Sequence, residues 1–316
     1  VVTAAYDLLD RQTSKTIGPG PGVAGAGNGG TTAESFQYDG LSRLIRAQDD
    51  DSLFKREYDS LSNVTKEIQN QVSPFNLGDD RIVLSTHDGL GNKLTCTYPG
   101  GRVISTTYDE LERKKTITDT TGSPLLIAAY DYIGPGRVER RDYGNGTRTA
   151  YQYDGILPNP FNDFGVRQIV RTTHTKIAGG TILDDRTFTW DRMGNKTQRK
   201  DVRIGGPGLS HDYSYDSVYR MIRSIKSPPG GPVGTIDYSL DGVGNRTLVT
   251  GGPNPGSYSL DQTTPEPADL QVNQYTTTPP DARGYDKNGN LISIDPPPPG
   301  APALRTILYD YRNQMV

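Results

Sequence analysis

The side chains of this chain that could carry chemistry are few and scattered. Three histidines offer a base and many serines a nucleophile, but no G-x-S-x-G sequence sets a serine on a nucleophile elbow. His87 stands where the chain repeatedly places a tyrosine, so it reads as a structural stand-in. Asp286-Lys287-Asn288-Gly289-Asn290 has the oxygen donors of a calcium loop, yet its glycine comes two positions too early for an EF-hand and no glutamate follows at the twelfth position. Asp49-Asp50-Asp51 reads as a solvated turn. Gly89-Leu90-Gly91-Asn92 and Gly242-Val243-Gly244-Asn245 share the look of phosphate loops, but neither completes G-x-G-x-x-G or opens a helical pattern. The single cysteine, Cys96, shares a strand face with Leu94 and Tyr98 and reads as a small buried hydrophobe. One cysteine excludes an intrachain disulfide framework, and no Cys/His group has zinc spacing. Asn63, Asn145, Asn195 and Asn245 each begin an N-x-T sequence. No catalytic, cofactor-binding or metal-ligating residue is therefore expected, and the chain reads as a non-enzyme without a cofactor.

What the chain does contain is repetition. Within Phe36 to Ile68, Tyr38-Asp39-Gly40-Leu41-Ser42-Arg43-Leu44 overlays Tyr58-Asp59-Ser60-Leu61-Ser62-Asn63-Val64 without a gap. The same corner recurs at Tyr6-Asp7, His87-Asp88 with Gly91, Tyr108-Asp109, Tyr130-Asp131, Tyr153-Asp154 and Trp190-Asp191 with Gly194. It continues at Tyr215-Asp216, Leu240-Asp241 with Gly244, Tyr285-Asp286 with Gly289, and Tyr309-Asp310, which makes twelve anchors in all. Their spacings, read from the numbering, are 32, 20, 29, 21, 22, 23, 37, 25, 25, 45 and 24 residues. The floor of 20 to 25 fits two strands and two turns, and the longer values carry insertions.

Each element of the corner has a backbone task. The aspartate closes the turn by accepting backbone N–H groups, and the glycines at 91, 194, 244 and 289 supply the positive φ that the turn requires. Ser42 and Ser62 depart from that pattern, and strain is expected there. The asparagines that follow the glycines are read as a second residue tolerant of left-handed geometry. With one aromatic ring at a fixed place in every hairpin, stacked hairpins are expected to line the rings into a contacting aromatic ladder.

Composition supports strands. Gly (37) and Pro (23) disfavour helix interiors, and 33% apolar content limits the core. Lys93 to Tyr98 alternates with period 2, and Arg102 to Tyr108 is rich in β-branched residues. Gly and Pro gather between the anchors, at Gly18 to Gly30, Pro158 to Pro160, Gly205 to Gly208, Pro228 to Pro232, Pro253 to Pro255, Pro265 to Pro267, Pro279-Pro280 and Pro296 to Pro299, which read as loops within one array. The net charge of -3 comes from 34 basic and 37 acidic residues without blocks, so no nucleic-acid footprint is present. No apolar run is long enough for a membrane span. The start at Val1-Val2-Thr3 reads as that of a processed or excised piece. The fold class expected is all-β, with antiparallel hairpins forming one continuous repeat array over residues 1–316.

These corners, together with Val272 to Tyr275 followed by Tyr285 to Leu291, resemble the YD repeats of Rhs and teneurin-like proteins and of the B and C components of toxin complexes. The resemblance implies a long sheet spiralling into a hollow shell and a secreted or cell-surface bacterial location. The family's DPxGL core motif is not matched, so self-cleavage and toxin activity are not carried over. Three functions are weighed: a structural shell segment, a self-assembling filament stacking head to tail, and a carbohydrate- or protein-binding adhesin using exposed tyrosine rings and long loops at 156–185 and 250–284. The partners expected are other parts of the same longer protein or identical subunits, with a glycan or protein ligand under the adhesin reading.

Overall fold

The computed structural model describes residues 2–18, 31–71, 75, 77–155, 168–231, 233–260, 274–295, 305–309 and 315. The described chain is all-β: one antiparallel sheet of 21 strands and a second of five. The expected loop at 18–30, except its first residue, and the proline runs at 158–160, 265–267 and 296–299 lie outside the described residues. The chain forms two compact units, residues 1–129 with 308–316, and residues 130–307.

In the first unit, hairpins follow one another directly. Val2–Tyr6 pairs with Gln12–Ile17, Ala33–Tyr38 with Leu44–Gln48, Leu53–Tyr58 with Val64–Asn70, Arg81–His87 with Lys93–Thr97, and Val103–Tyr108 with Lys114–Asp119. Each return strand then pairs with the outgoing strand of the next hairpin. All corners of this unit therefore lie along one edge of the sheet, and the connections between hairpins lie along the other.

The second unit repeats the scheme. Arg137–Tyr143, Thr147–Tyr153, Ile169–Lys176, Ile182–Trp190, Lys196–Asp201, Ser210–Tyr215, Met221–Ser227, Gly234–Leu240 and Arg246–Thr250 pair in sequence order. The five-stranded sheet contains Tyr275–Thr277, Ala282–Tyr285 and Leu291–Asp295. Gly205 to Gly208, Pro228 to Gly231 and Pro253 to Pro255 lie in turns between strands, where proline's missing N–H costs no ladder bond.

Three local expectations are corrected. Tyr130-Asp131 is not a corner, because both residues lie inside the strand Leu125–Ile133 and the chain reverses at Gly134 to Gly136 instead. Asp131 there is half exposed and paired with Arg140 across the sheet. The stretches at 156–185 and 250–284 are not simple loops, since Ile169–Lys176 and short strands at Gly256–Ser257, Ser259–Leu260 and Tyr275–Thr277 lie within them. The face carrying Leu94, Cys96 and Tyr98 is not buried: Leu94 and Tyr98 are exposed and Cys96 is intermediate.

That last correction reflects the whole design. Among the described residues only Ile17, Leu53, Ala128 and Val249 are buried apolar side chains. Polar residues take the deepest positions instead. Asn70 is 1% exposed, and Asp185, on Ile182–Trp190, is 2% exposed and held bidentately by Arg171 at 2.8 and 2.6 Å. Breaking that pair leaves Arg171 partly solvated, so Asp185→Ala is expected to cost about 1–3 kcal/mol, below the cost of stranding a fully buried charge. Urea unfolding of the variant measures it.

Candidate functional site: the corner ladder

Nine of the twelve anchors close in one way. At the Asp39 corner, the Asp39 N–H donates to the Arg43 carbonyl at 3.0 Å and the Ser42 N–H donates back to the Asp39 carbonyl at 3.0 Å. Asp39 Oδ1 accepts the N–H groups of Leu41 and Arg43, both at 2.9 Å, and Oδ2 accepts Arg43 Nε at 2.6 Å. The same pattern recurs at Asp7, Asp59, Asp88, Asp109, Asp191, Asp216, Asp241 and Asp286. The strand register slips by one residue beside the ring position, as in a hairpin whose type I turn ends in a left-handed bulge residue.

That bulge residue always has positive φ. It is glycine at 91, 194, 244 and 289, but Asp10, Ser42, Ser62, Glu112 and Tyr219 adopt φ of 57–69° in the same place. The Ser42 and Ser62 corners thus keep the common turn and bear the cost of a Cβ in left-handed geometry. The asparagines do not share it. Asn63, Asn92, Asn195, Asn245 and Asn290 have ordinary backbone angles and donate their side-chain amide to Asp Oδ2 at 2.8–3.0 Å. They replace the guanidinium, so the reading of these asparagines as left-handed residues is corrected.

Arginine does more than asparagine. Arg11 Nη1 reaches forward to the Asp39 carbonyl at 3.1 Å and the Ser42 hydroxyl at 3.2 Å. Arg43 does the same to Asp59 and Ser62, and Arg220 to the Asp241 carbonyl. The ring position completes the link. Tyr38 donates its hydroxyl to the Gln12 carbonyl, Tyr58 to Leu44, Tyr108 to Lys93, Tyr215 to Lys196 and Tyr285 to Tyr275, at 2.9–3.1 Å. Trp190 uses its indole N–H in the same way on Ile169. The guanidinium of one corner lies over the ring of the next, Arg11 on Tyr38 at 5.0 Å and Arg43 on Tyr58 at 4.6 Å.

The expected ring-on-ring ladder is therefore replaced by a ring-to-carbonyl and cation-to-ring ladder. The ring contacts among the described residues join other pairs, such as Tyr143 with His174 and Tyr258 with Tyr275. Two strand spacings, about 9.5 Å, separate successive corners, and this exceeds the 4.5–7 Å reach of aromatic pairs. The arginines and asparagines four places after each aspartate complete the site, and their fixed offset was the signal that marks them.

The remaining anchors vary. Tyr153 keeps its bond to the Val138 carbonyl, while the Asp154 N–H donates to Gln168 across residues outside the described set. His87 pairs across to Lys93 above a complete Asp88 corner, with its Nδ1 enclosed and unpartnered. Leu240 carries no donor. Tyr309 bridges to Met315, and Asp310 lies outside the described residues.

The other candidates resolve as local structure. Asp286 engages both carboxylate oxygens with Asn288 and Asn290, as at the other corners. Asp49 closes a turn on Ser52, and Asp50 holds Thr32 and Ala33. Among the described residues no three His, Cys, Asp or Glu side chains are grouped to hold a metal, and no helix is long and apolar enough to cross a membrane. A depression of about 420 Å³ in the first unit is lined by five basic side chains, of which Arg43 and Lys66 pair with Asp39 and Glu57 of the same lining and Arg56 with Glu67.

No family model and no curated protein sequence matches the chain. Solved structures do. A crystal structure of TcdB2-TccC3 covers the whole chain at TM-score 0.71 and 15% identity, and a crystal structure of TcdB2-TccC3-Cdc42 gives the same values. The Photorhabdus luminescens Tc holotoxin pore, with the TccC3-D651A mutation, covers 99% at TM-score 0.68 and 16% identity. The fold is that of the TcdB2-TccC3 structures. The resemblance read from the Tyr-Asp corners therefore holds at the level of fold, and the chain spans 18% of the length of each of these matched chains.

The corner carboxylates all titrate below their ordinary value of 3.8. The side-chain hydrogen bond from Arg or Asn is the main cause at Asp7, Asp59, Asp88, Asp109, Asp191 and Asp241. At Asp39 and Asp216 the main cause is the backbone N–H of Arg43 or Arg220. At Asp286 partial burial pushes upward, and the Asn290 bonds outweigh it. Asp119, held by the Thr121 hydroxyl, falls to about 2. A carboxylate depressed on folding stabilises above its unfolded pKa and loses that contribution as pH falls through the folded value. The melting temperature is thus expected to be steady from neutral pH to about 5 and to drop below about 4, as thermal melts across that range test.

The bulge residue gives opposite signs at two corners. Glu112→Gly removes a left-handed Cβ and is expected to stabilise by about 0.5–1 kcal/mol. Gly91→Ala, at φ 87° with its new Cβ 3.2 Å from Asn63 Oδ1, is expected to destabilise by about 1–2 kcal/mol. Urea unfolding of both variants reads the two signs.

Proposed function

We infer that this chain is a non-enzymatic structural segment of an Rhs-type array, a stretch of wall within a longer protein exported to the cell surface or beyond. The observation that carries this is the corner ladder. Its conspicuous ionic and aromatic groups are engaged in closing a turn or tying it to its neighbour, so the repeated residues are occupied by structure. The shared fold with the TcdB2-TccC3 structures supports the reading, as does the small share of their length that the chain spans. A wall segment serves through what it encloses or joins, and its partners are then other parts of the same longer protein.

A second reading, the head-to-tail filament, is favoured by one feature. Val2–Tyr6 is exposed along its length and, among the described residues, pairs only with Gln12–Ile17, which suits a strand edge that accepts another chain. Concentration-dependent fibres in the electron microscope would favour the filament.

For the wall segment, limited proteolysis with mass spectrometry is expected to confine cuts to the Pro/Gly segments between hairpins, such as 205–208 and 228–231. Arg43→Ala, which unties the Asp39 corner from that of Asp59, is expected to admit cuts within those two hairpins. Digestion of the wild-type chain throughout its strands would overturn the reading.

A further inference from the structure

In the first unit the residue two places after the corner aspartate is always leucine: Leu9, Leu41, Leu61, Leu90 and Leu111. Each is 62–71% exposed although its backbone N–H is fixed on the carboxylate beneath it. The corner does not require an apolar side chain at this place, since Asn288 fills it above Asp286 with the same backbone bond. Single exposed leucines need no explanation, but five in one register along one sheet edge form a row. Successive hairpins pair side by side, and Arg11 and Arg43 join the first three corners directly. The leucines therefore recur every two strands, about 9.5 Å apart.

We propose that this row is a docking edge for the same row of a second copy of the chain. The period selects the occupant. A helix presenting one apolar residue per heptad advances about 10.5 Å per repeat and drifts out of register by about 1 Å at each corner. A second copy has the identical period, and no drift accumulates.

The flanking residues set the register. Leu41 lies between Gly40 and Ser42, Leu61 between Ser60 and Ser62, and Leu90 between Gly89 and Gly91, so no long or charged side chain adjoins the middle three in sequence. The ends are acidic, with Asp10 after Leu9, and Glu110 and Glu112 around Leu111. A two-fold axis through Leu61 runs the rows antiparallel and sets Leu41 on Leu90 and Leu9 on Leu111 of the other copy. Asp10 then faces Glu110 and Glu112, and salt relieves the repulsion.

The area fixes the strength. Complete burial of a leucine corresponds to roughly 60–120 Å² of apolar surface, so the row removes on the order of 200–400 Å² from each copy. That is no larger than the biggest apolar patch of an ordinary monomer, and it falls short of the roughly 800 Å² per partner of a standard interface. A weak, reversible dimer is the consequence.

Sedimentation velocity of the chain across the micromolar range tests this. Expected is a monomer–dimer equilibrium that tightens as salt rises. The triple variant Leu41→Ser, Leu61→Ser, Leu90→Ser is expected to weaken it by at least about tenfold while leaving the melting temperature unchanged. Glu110→Lys with Glu112→Lys, which sets lysines against Asp10 of the other copy, is expected to tighten it. A chain monomeric at every concentration overturns the proposal, as does a dimer indifferent to the triple variant. Weakening by the lysine pair overturns the antiparallel register.

Discussion

The structure depends on one carboxylate doing the same work nine times. At each corner an aspartate oxygen accepts two backbone N–H groups of the reversing chain, and its second oxygen takes the head group of an arginine or asparagine four residues on. That cage fixes the turn so firmly that the residue just before the arginine or asparagine is carried into left-handed geometry even when it is aspartate, serine, glutamate or tyrosine. Backbone strain of this kind persists only where the surroundings over-determine it. Here the over-determination comes from the aspartate, and glycine at four corners merely relieves the cost.

The corner then acts beyond its own hairpin. An arginine is long enough to close its own turn with Nε and to reach the carbonyl of the next corner with Nη1, while lying on the next ring. Asparagine closes the turn without a bond onward, so the Asn92 corner is tied to the next by the Tyr108 hydroxyl on Lys93 and the strand ladder, and the Asn63 corner, followed by His87, by the strand ladder. With so few apolar side chains buried, a sheet of this kind is held by many local, nearest-neighbour contacts. Losing one corner is then a local injury that spreads only through the hairpins on either side.

This economy bears on function. The corner aspartates, which might be taken for metal or cation ligands, are engaged within the turns, as at Asp286. The strand faces remain open, and the corners present leucines outward along one edge. A sheet built in this way presents surface along its faces and its corner edge.

The sequence by itself determined the repeat, the all-β class and the turns, because a corner is local: aspartate, bulge residue and cap lie within five consecutive positions. Tyr130-Asp131 shows the limit: Gly134 stands three places after the aspartate, as a bulge glycine would, but Pro135 takes the place of the Arg or Asn cap and the dipeptide continues as strand. Only the tertiary structure decided how corners meet. Whether a ring touches another ring, a carbonyl or a guanidinium depends on the spacing between hairpins, and that distance is set by two strand widths and written in no single repeat. The same spacing decided that the corner leucines form a row, because exposure and alignment along an edge exist only once the hairpins stand side by side.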